Sequence, residues 1–119
     1  MSAAASGGSS LRRLRKRSEF LRVARGSRVG RSAFSLQAQD RAAGDAGLGF
    51  TVTKKMGNAP QRNRIRRRLR AAARACAADF VPQHDYVLVG RTDALSQPFG
   101  RMVEEMRSAL VRIHAKKKS

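Results

Sequence analysis

Apolar and polar residues alternate in two stretches of the chain, and this alternation is typical of β-strands. In the first stretch, between residues 32 and 40, the apolar positions are Phe34, Leu36 and Ala38. In the second, after the turn-rich segment 41–47, they are Leu48, Phe50 and Val52. Because successive side chains of a strand point to opposite faces, the first pattern predicts a strand buried on one face only. The short connection favours antiparallel pairing of the two strands.

A short helix and a fully buried strand are predicted from two other apolar patterns. Ser18 can cap a helix of about two turns with Glu19 in its first turn, and Gly26 ends it. The apolar residues on one side of this helix are Phe20, Val23 and Ala24. Further along, residues 86–89 are continuously apolar, which suits a strand buried on both faces.

Two longer helices each carry a single apolar stripe at helical spacing. The first is capped by Asn58 and has Pro60 in its first turn. Its stripe is Ile65, Leu69, Ala72, Ala73, Cys76 and Phe80. The second is capped by Ser96 and has Pro98 in its first turn. Its stripe is Met102, Val103, Met106, Leu110 and Ile113, which we interpret as core.

These elements fit one domain of mixed α and β structure. A chain of 119 residues is long enough for one domain and too short for two of ordinary size. Residues 1–10 are small and polar, which predicts a flexible tail. Residues 116–119 are predicted to form a mobile basic tail, which leaves residues 11–115 as the single folded domain.

The net charge of the chain indicates that this domain has a polyanionic partner. The chain has 26 Lys and Arg against 8 Asp and Glu, a formal net charge of +18. Such a field destabilises a compact state unless an anion offsets it, so nucleic acid is the expected partner. The sequence has no run long enough for a transmembrane helix and no apolar signal-like block, so we expect a soluble, cytoplasmic protein without a membrane partner.

Enzymatic chemistry has few candidate residues in this sequence. Cys76 is the single cysteine and lies on an apolar stripe, where burial is expected. His84 and His114 are the two histidines, and we expect them to be surface residues rather than general bases. The acidic residues are scattered, which argues against a dedicated metal site. We therefore predict no catalytic residue and no protein metal ligand set.

The most informative stretch is the basic start of the second helix. Lys54, Lys55, Arg62 and Arg64 crowd the end where the helix dipole is already positive. Cations there are unfavourable by roughly 0.3–1 kcal/mol each, so stability alone does not account for them. The same end offers free backbone N–H groups, and arginine can bind phosphate bidentately. This pattern favours binding to a phosphate backbone over an ordinary solvated charged face.

The block that carries these residues resembles the motif of the bacterial ribonuclease P protein subunit. The family pattern is K-K-x-G-N-A-x-x-R-N-R-I-[KR]-R, and residues 54–67 are K-K-M-G-N-A-P-Q-R-N-R-I-R-R. Further support comes from S-E-F at 18–20, F-x-L at 34–36, the strand G-L-G-F-T-V-T before the two lysines, and D-Y-V-L-V at 85–89. The resemblance covers about residues 11–115, and the long block makes it specific.

The resemblance implies a fold and an activity. It implies a small two-layer α/β sandwich of the α+β class, similar to a ribosomal protein domain. The expected order is a helix, antiparallel strands, the arginine-rich helix in a left-handed crossover, a strand and a C-terminal helix. It also implies a protein subunit of an endoribonuclease whose catalytic centre is RNA. That subunit binds the catalytic RNA and precursor tRNA, needs no obligate protein partner, and assists Mg²⁺-dependent removal of the tRNA 5′ leader, with Mg²⁺ held mainly by the RNA.

The resemblance and the charge pattern together give two sets of candidate RNA-binding residues. The RNA-subunit-binding set is Lys54, Lys55, Asn58, Arg62, Asn63, Arg64, Arg66, Arg67, Arg68 and Arg70. The leader-binding set is Arg13, Lys16, Arg17, Phe20, Val23, Phe34 and Leu36. Phe20 can be core or can stack on an unpaired base. Ala24 and Gln37 stand where the family often has an aromatic residue.

Other classes of basic protein remain as alternatives at this point. A structural ribosomal protein, or another RNA-binding protein without a role in cleavage, would be equally basic. A DNA-compacting protein would bind duplex DNA as well as structured RNA. The resemblance implies instead a cleft between the first helix and the sheet that takes the single-stranded leader, which argues against this class. Stimulation of precursor tRNA cleavage separates these classes.

Overall fold

The computed structural model describes residues 11–42 and 44–118, with the backbone alone described for residues 116–118. The α-helices are α1 (Arg17–Ala24), α2 (Ala59–Ala75) and α3 (Phe99–Lys118). The strands are β1 (Arg12–Arg13), β2 (Ser27–Gly30), β3 (Phe34–Asp40), β4 (Gly47–Thr51) and β5 (His84–Gly90). The tail predicted at residues 1–10 lies outside the described residues, and residues 116–118 continue helix α3.

The strands form one mixed sheet in the order β1-β4-β5-β3-β2. Strand β5 lies at its centre, parallel to β4 and antiparallel to β3. The predicted antiparallel pairing of the strands now named β3 and β4 is therefore wrong, because β5 lies between them. Helix α2 connects the parallel neighbours β4 and β5, which can be joined only by a crossover. The predicted mixed α+β class is confirmed.

Helices cover both faces of the sheet. On one face, α2 and α3 pack over the large core that contains Phe34, Leu36 and Leu88. On the other face, Val23 of α1 packs on Leu14 and Val87. Because α1 covers this second face, Ser35 and Gln37 are each only 7% exposed. The expectation that β3 is buried on one face only is therefore wrong.

The ends of two helices differ from their predicted caps. Helix α1 begins at Arg17, before Ser18, and the Glu19 carboxylate accepts hydrogen bonds from the backbone N–H groups of Lys16 (3.0 Å) and Arg15 (2.9 Å). These backbone hydrogen bonds lower the pKa of Glu19. Ser96 follows a 3₁₀ helix and does not start α3, which begins at Phe99.

The predicted stripes of the long helices are confirmed as core. Ile65, Leu69, Ala72 and Ala73 of α2 are buried, as are Met102, Met106, Leu110 and Ile113 of α3. Val103 is partly buried against the same core. Cys76 and Phe80 are buried just beyond the end of α2. Burial raises the pKa of the Cys76 thiol.

The two histidines are not the plain surface residues that we expected. Tyr86 Oη accepts a hydrogen bond from the Val81 backbone N–H (2.9 Å) and lies 2.7 Å from His114 Nε2. Because that acceptance leaves the hydroxyl hydrogen free, the hydroxyl can donate to His114. The ring of His84 lies 4.8 Å from that of His114, edge to face, and burial raises the pKa of Tyr86 to about 12. These rings close one end of the core.

Candidate nucleic-acid interface

Two parallel strands end at the same edge of the sheet, and the basic block lies beside that edge. Strand β4 ends at Thr51 and is followed by a 3₁₀ turn, Lys54–Met56, before α2 begins. Strand β5 ends at Gly90, which lies directly against α2: a Cβ atom there would come within 2.6 Å of the Ile65 side chain. The absence of a side chain at Gly90 therefore lets the first turns of α2 pack on this edge.

The turn before α2 is fixed by glycine and by a reciprocal cap. Gly57 has φ 132° and ψ −171°, a conformation that is essentially restricted to glycine. The Asn58 side chain accepts a hydrogen bond from the Gln61 backbone N–H, and the Gln61 side chain accepts one from the Asn58 N–H, both at 2.9 Å. Arg62 Nη1 donates to the Gly57 carbonyl oxygen at 2.8 Å. The predicted Asn58 cap is confirmed, and the turn is rigidly joined to the helix.

Replacing Gly57 with alanine is expected to reduce the free energy of unfolding by about 1–3 kcal/mol, the usual cost of this backbone region for other residues. The added methyl group would also collide with the Gln61 side chain, which forms half of the cap. Urea denaturation followed by circular dichroism measures the change. The matched control is Gly100→Ala, because Gly100 has open space around it and no positive φ. Equal stability of the two variants would contradict this account of the turn.

Most of the predicted RNA-subunit-binding residues form one basic surface on α2 and the turn before it. The exposed members are Lys54, Lys55, Asn58, Asn63, Arg64 and Arg67. Arg62, Arg66 and Arg70 are partly exposed. Within the described part of the chain, no acidic residue lies in the first turn of α2 to offset the dipole. The surface therefore combines side-chain charge with the free N–H groups of a helix N-terminus.

The arginines of this surface divide into two groups around the helix. At 100° per residue, Arg62 lies in line with the buried stripe, and Arg64 lies about 160° away from Arg62 around the helix. Arg66, Arg70 and Arg74 follow one another at intervals of four residues and form a single row. Arg64 and Arg67 are exposed, and their guanidinium groups form no hydrogen bond or ion pair with any described residue. These two arginines are therefore free to bind an external anion.

Arg68 differs from the other members of the predicted set. Its Nη2 donates to the backbone carbonyl of Gln97, and its Nε is buried. This contact ties α2 to the segment that leads into α3. Part of the Arg68 guanidinium group is therefore engaged within the fold, and its assignment to RNA binding stays a prediction.

The predicted leader-binding set contains two kinds of residue. Arg13, Lys16 and Arg17 are exposed. Val23, Phe34 and Leu36 are each 0% exposed, and the last two lie in the core beneath α2 and α3. The expectation that these three apolar side chains contact RNA is therefore wrong. Their spacing reflects packing in the core.

Phe20 is packed against the fold and is also partly exposed. It packs against the small cluster of Leu14, Val23 and Val87. Its ring also lies so close to Gly49 that a Cβ atom there would approach it to 2.6 Å. The ring remains partly exposed at the rim of a cleft. It is therefore a fixed aromatic surface, which suits stacking better than a mobile side chain.

The comparisons with known proteins decide the family. The sequence profile of the family described as Ribonuclease P matches residues 9–114. A ribonuclease P protein component from Ruegeria pomeroyi is 49% identical over 109 residues, covering 87% of each chain. One from Brucella suis is 44% identical over 104 residues, covering 79% of this chain and 74% of the relative. The chain belongs to the ribonuclease P protein family.

Solved structures support the same fold. The ribonuclease P protein of Thermotoga maritima superposes with a TM-score of 0.72 at 24% identity, covering 85% of this chain and 96% of the other. The Staphylococcus aureus protein gives 0.70 at 23% identity, covering 85% and 94%. At these identities the similarity concerns the fold, and the closer sequence relatives carry the function. As a ribonuclease P protein component, the chain has a role in tRNA processing as a subunit of an endoribonuclease.

The two departures from the family pattern have different surroundings. Gln37 is 7% exposed, on the face that α1 covers. Ala24, the last residue of α1, is exposed. The smaller side chain at Ala24 and the buried amide at Gln37 leave Phe20 as the partly exposed aromatic ring in the α1 helix.

Sequence analysis missed two residues that shape the interface. The Asp85 side chain is 3% exposed, and its carboxylate binds Arg12 and, at 2.7 Å, Arg22. Arg91 is exposed and directly follows Gly90, so it lies at the same sheet edge as the start of α2. The available signal for Asp85 was an acidic residue at the start of an otherwise apolar strand. For Arg91 it was a cation immediately after that strand.

Two further properties of the described residues complete the description of the site. No group of three or more His, Cys, Asp or Glu side chains within residues 11–42 and 44–115 is arranged to hold a metal ion. In the part of the chain that the structure covers, no helix has both the length and the apolar character needed to cross a membrane.

Proposed function

We propose that this chain acts in the cytoplasm as the protein subunit of ribonuclease P, which binds the catalytic RNA and the 5′ leader of precursor tRNA. The observation that carries this proposal is the surface at the start of α2. Unpaired arginines and lysines lie there beside a helix N-terminus that is already positive. An RNA phosphate at this surface would meet side-chain charge and backbone N–H groups together.

The contribution of this surface is to reduce repulsion between two RNAs. The catalytic RNA and precursor tRNA are both polyanions, and each phosphate that an arginine neutralises releases counterions. Arg64 and Arg67 need not break an internal contact to do this. The protein therefore supplies affinity and positioning, while the RNA supplies the chemical step.

The leader is proposed to follow the α1 side of the molecule. Arg13, Lys16 and Arg17 are exposed before and at the start of α1, and the Phe20 ring is fixed nearby. Basic side chains that follow the backbone, together with an aromatic ring for stacking, suit a single strand without demanding a particular sequence. The buried residues Val23, Phe34 and Leu36 are excluded from this path.

Mg²⁺ belongs to the RNA in this proposal. Magnesium prefers oxygen ligands, usually one or two carboxylates with water and phosphate. The side chains of the basic surface are arginine, lysine and asparagine, so this donor set does not fit Mg²⁺. We derive no step through a protein-bound metal. Bound to RNA, Mg²⁺ supplies charge stabilisation at the scissile phosphate.

A reconstitution tests the proposal. The full chain is added to its own ribonuclease P RNA and a precursor tRNA at low Mg²⁺, where repulsion between the RNAs is greatest. We expect the protein to stimulate leader removal, measured by gel separation of the cleaved leader. Polylysine of equal total charge controls for unspecific neutralisation. Stimulation no greater than with polylysine would refute the proposed role.

A further inference from the structure

A second basic surface lies on the edge strand β2, at the opposite end of the sheet from β1. A shallow pocket of about 290 Å³ is present there, where β2 meets helix α3. The residues that line it are Arg28, Val29, Gly30, Arg31 and Arg112. We call it the β2-edge pocket. None of these residues lines the cleft at Phe20, so the pocket is separate from that cleft.

The backbone of Gly30 is open to solvent at this pocket. Strand β2 is the last strand of the sheet and pairs with β3. The Arg31 N–H donates to the Phe34 carbonyl oxygen at 2.7 Å. In an antiparallel ladder the next pair, Gly30 and Ser35, is then a pair without hydrogen bonds between its members. The Gly30 N–H and C=O groups therefore point away from β3, and a Cβ atom there would meet no described atom within 4 Å.

Two arginines of the pocket are available to an anion, and one of them is already held in place. Arg31 Nε and Nη2 donate to the Ser108 hydroxyl oxygen of α3 at 3.3 and 2.9 Å, and Arg31 Nη1 donates to the Gly30 carbonyl oxygen at 2.8 Å. These contacts leave one N–H on each of Nη1 and Nη2. The guanidinium group of Arg112 is exposed and has no hydrogen-bond or ion-pair partner among the described residues. No described residue that lines the pocket is acidic, so this arrangement suits a phosphate group.

A row of exposed residues on α1 leads from the proposed leader path to this pocket. Arg17, Leu21 and Arg25 follow one another at intervals of four residues, so they share one face of the helix. All three are exposed, Leu21 to 52%. The row spans about 12 Å along the helix. Strand β2 follows α1 directly, and its Arg28 is exposed as well. A single strand that passes the Phe20 ring can therefore follow this row to the β2-edge pocket.

We propose that the β2-edge pocket binds one phosphate group of the precursor tRNA leader, farther from the cleavage site than the nucleotide at Phe20. The phosphate oxygens accept hydrogen bonds from the guanidinium groups of Arg31 and Arg112 and from the Gly30 N–H. The volume of the pocket, near the lower limit of about 300 Å³ for ligand sites, suits one small group. The inference rests on the proposed function, because the leader reaches this pocket from the α1 side. The catalytic RNA is proposed to bind elsewhere, at the start of α2.

The length of the leader tests this route. The full chain is assembled with the catalytic RNA, and three ligands are compared: mature tRNA, a precursor whose short leader ends at Phe20, and a precursor whose leader extends past α1. We expect Arg112→Gln to weaken binding of the long-leader precursor about three- to tenfold, as for a lost charge-assisted hydrogen bond. Binding of the other two ligands is expected to change less than about twofold. Equal losses for all three ligands, or no loss for the long leader, would overturn the inference.

The matched control is Arg101→Gln, which removes the same charge from the same helix. Arg101 is exposed, pairs with Glu105 at 3.7 Å, and does not line the pocket. It lies about 16 Å along α3 from Arg112, beyond the screening length of about 10 Å at 0.1 M salt. We therefore expect less than about a twofold change with the long leader. Equal losses in the two variants would show unspecific attraction and overturn the site.

A direct measurement distinguishes the leader from a free anion. The full chain, labelled with ¹⁵N, is titrated with the leader as a free RNA strand and, separately, with inorganic phosphate. We expect the leader strand to shift the Gly30 amide at a much lower concentration than inorganic phosphate does. Equal affinity for the two probes, or no shift at Gly30, would overturn the leader contact. Either failure leaves stimulation of short-leader cleavage intact, whereas failure of the proposed function abolishes that stimulation, so the two results are distinguishable.

Discussion

Replacing Asp85 with asparagine is expected to reduce the free energy of unfolding by about 3–5 kcal/mol, the usual cost of removing one partner of a buried ion pair. The carboxylate side chain is 3% exposed and binds Arg12 and Arg22, with Arg41 at 3.9 Å. Because the side chains of Arg12 and Arg22 are 32% and 42% exposed, they can regain some water, which favours the lower end of that range. The measurement is urea denaturation followed by circular dichroism.

The control for this variant is Asp45→Asn. Asp45 is exposed, so its replacement removes the same charge without uncovering buried arginines. Exposed substitutions of this kind usually change stability by less than about 0.5 kcal/mol. If both variants unfold at the same urea concentration, Asp85 does not anchor the arginines as the structure indicates.

Asp85 also connects stability to the proposed leader path. Arg12 belongs to β1, and Arg22 belongs to α1. One carboxylate on the central strand therefore holds both segments that border Phe20. Gly47 makes room for this arrangement, because a side chain there would collide with Asp85, Arg12 and Leu14. Weakening of the Asp85 ion pairs should therefore disturb α1 before it disturbs α2.

Elements that depend on one periodic stripe were predictable from the sequence. The α2 and α3 stripes have the spacing of a helix that packs on one side, and neither helix needs a distant partner to reveal that pattern. Strand β5 was equally clear, because burial on both faces leaves residues 86–89 continuously apolar. These predictions depend on local order along the chain.

Elements that depend on distant partners were not predictable in the same way. Strands β3 and β4 are neighbours in sequence, but β5, more than thirty residues later, is inserted between them. Strand β2 was missed because Val29 is its one buried side chain among the described residues. Ser35 and Gln37 have the polarity of an exposed face and are covered by a helix from elsewhere in the chain. The alternation in the sequence shows which residues of a strand are polar. Whether those residues are buried depends on which other element packs over that face of the sheet.

At the interface too, some features could be predicted from the sequence and others could not. The residue types at the start of α2 were sufficient to locate the basic surface, because charge against the dipole is a local property. The partners of individual arginines were not visible in the sequence. Arg68 donates a hydrogen bond to the Gln97 carbonyl oxygen, whereas the guanidinium group of its neighbour Arg67 has no partner among the described residues. The arginines available to an RNA therefore had to be identified from the structure.

Replacing Arg64 and Arg67 together with alanine is expected to produce the largest loss of RNA-subunit binding. Each lost phosphate contact lowers the slope of log affinity against log salt by about 0.9, so the double variant should lose about 2. At 0.1 M salt this corresponds to binding that is on the order of 10- to 100-fold weaker. Filter binding of the full chain to the RNA subunit at several salt concentrations measures it. The circular dichroism spectrum is expected to be unchanged, because both side chains lack internal partners.

The choice of these two arginines separates binding from folding. Arg62 is less suitable, because its donation to the Gly57 carbonyl supports the turn before α2. The charge-matched control replaces Arg101 and Arg112, two exposed arginines of α3, with alanine. If total charge alone drives binding, both double variants should lose the same salt slope. If the phosphates meet the start of α2, the control should keep the slope of the unmodified chain, because distant exposed charges are screened within about 10 Å at 0.1 M salt. Equal slopes for the two double variants would therefore contradict a localised interface.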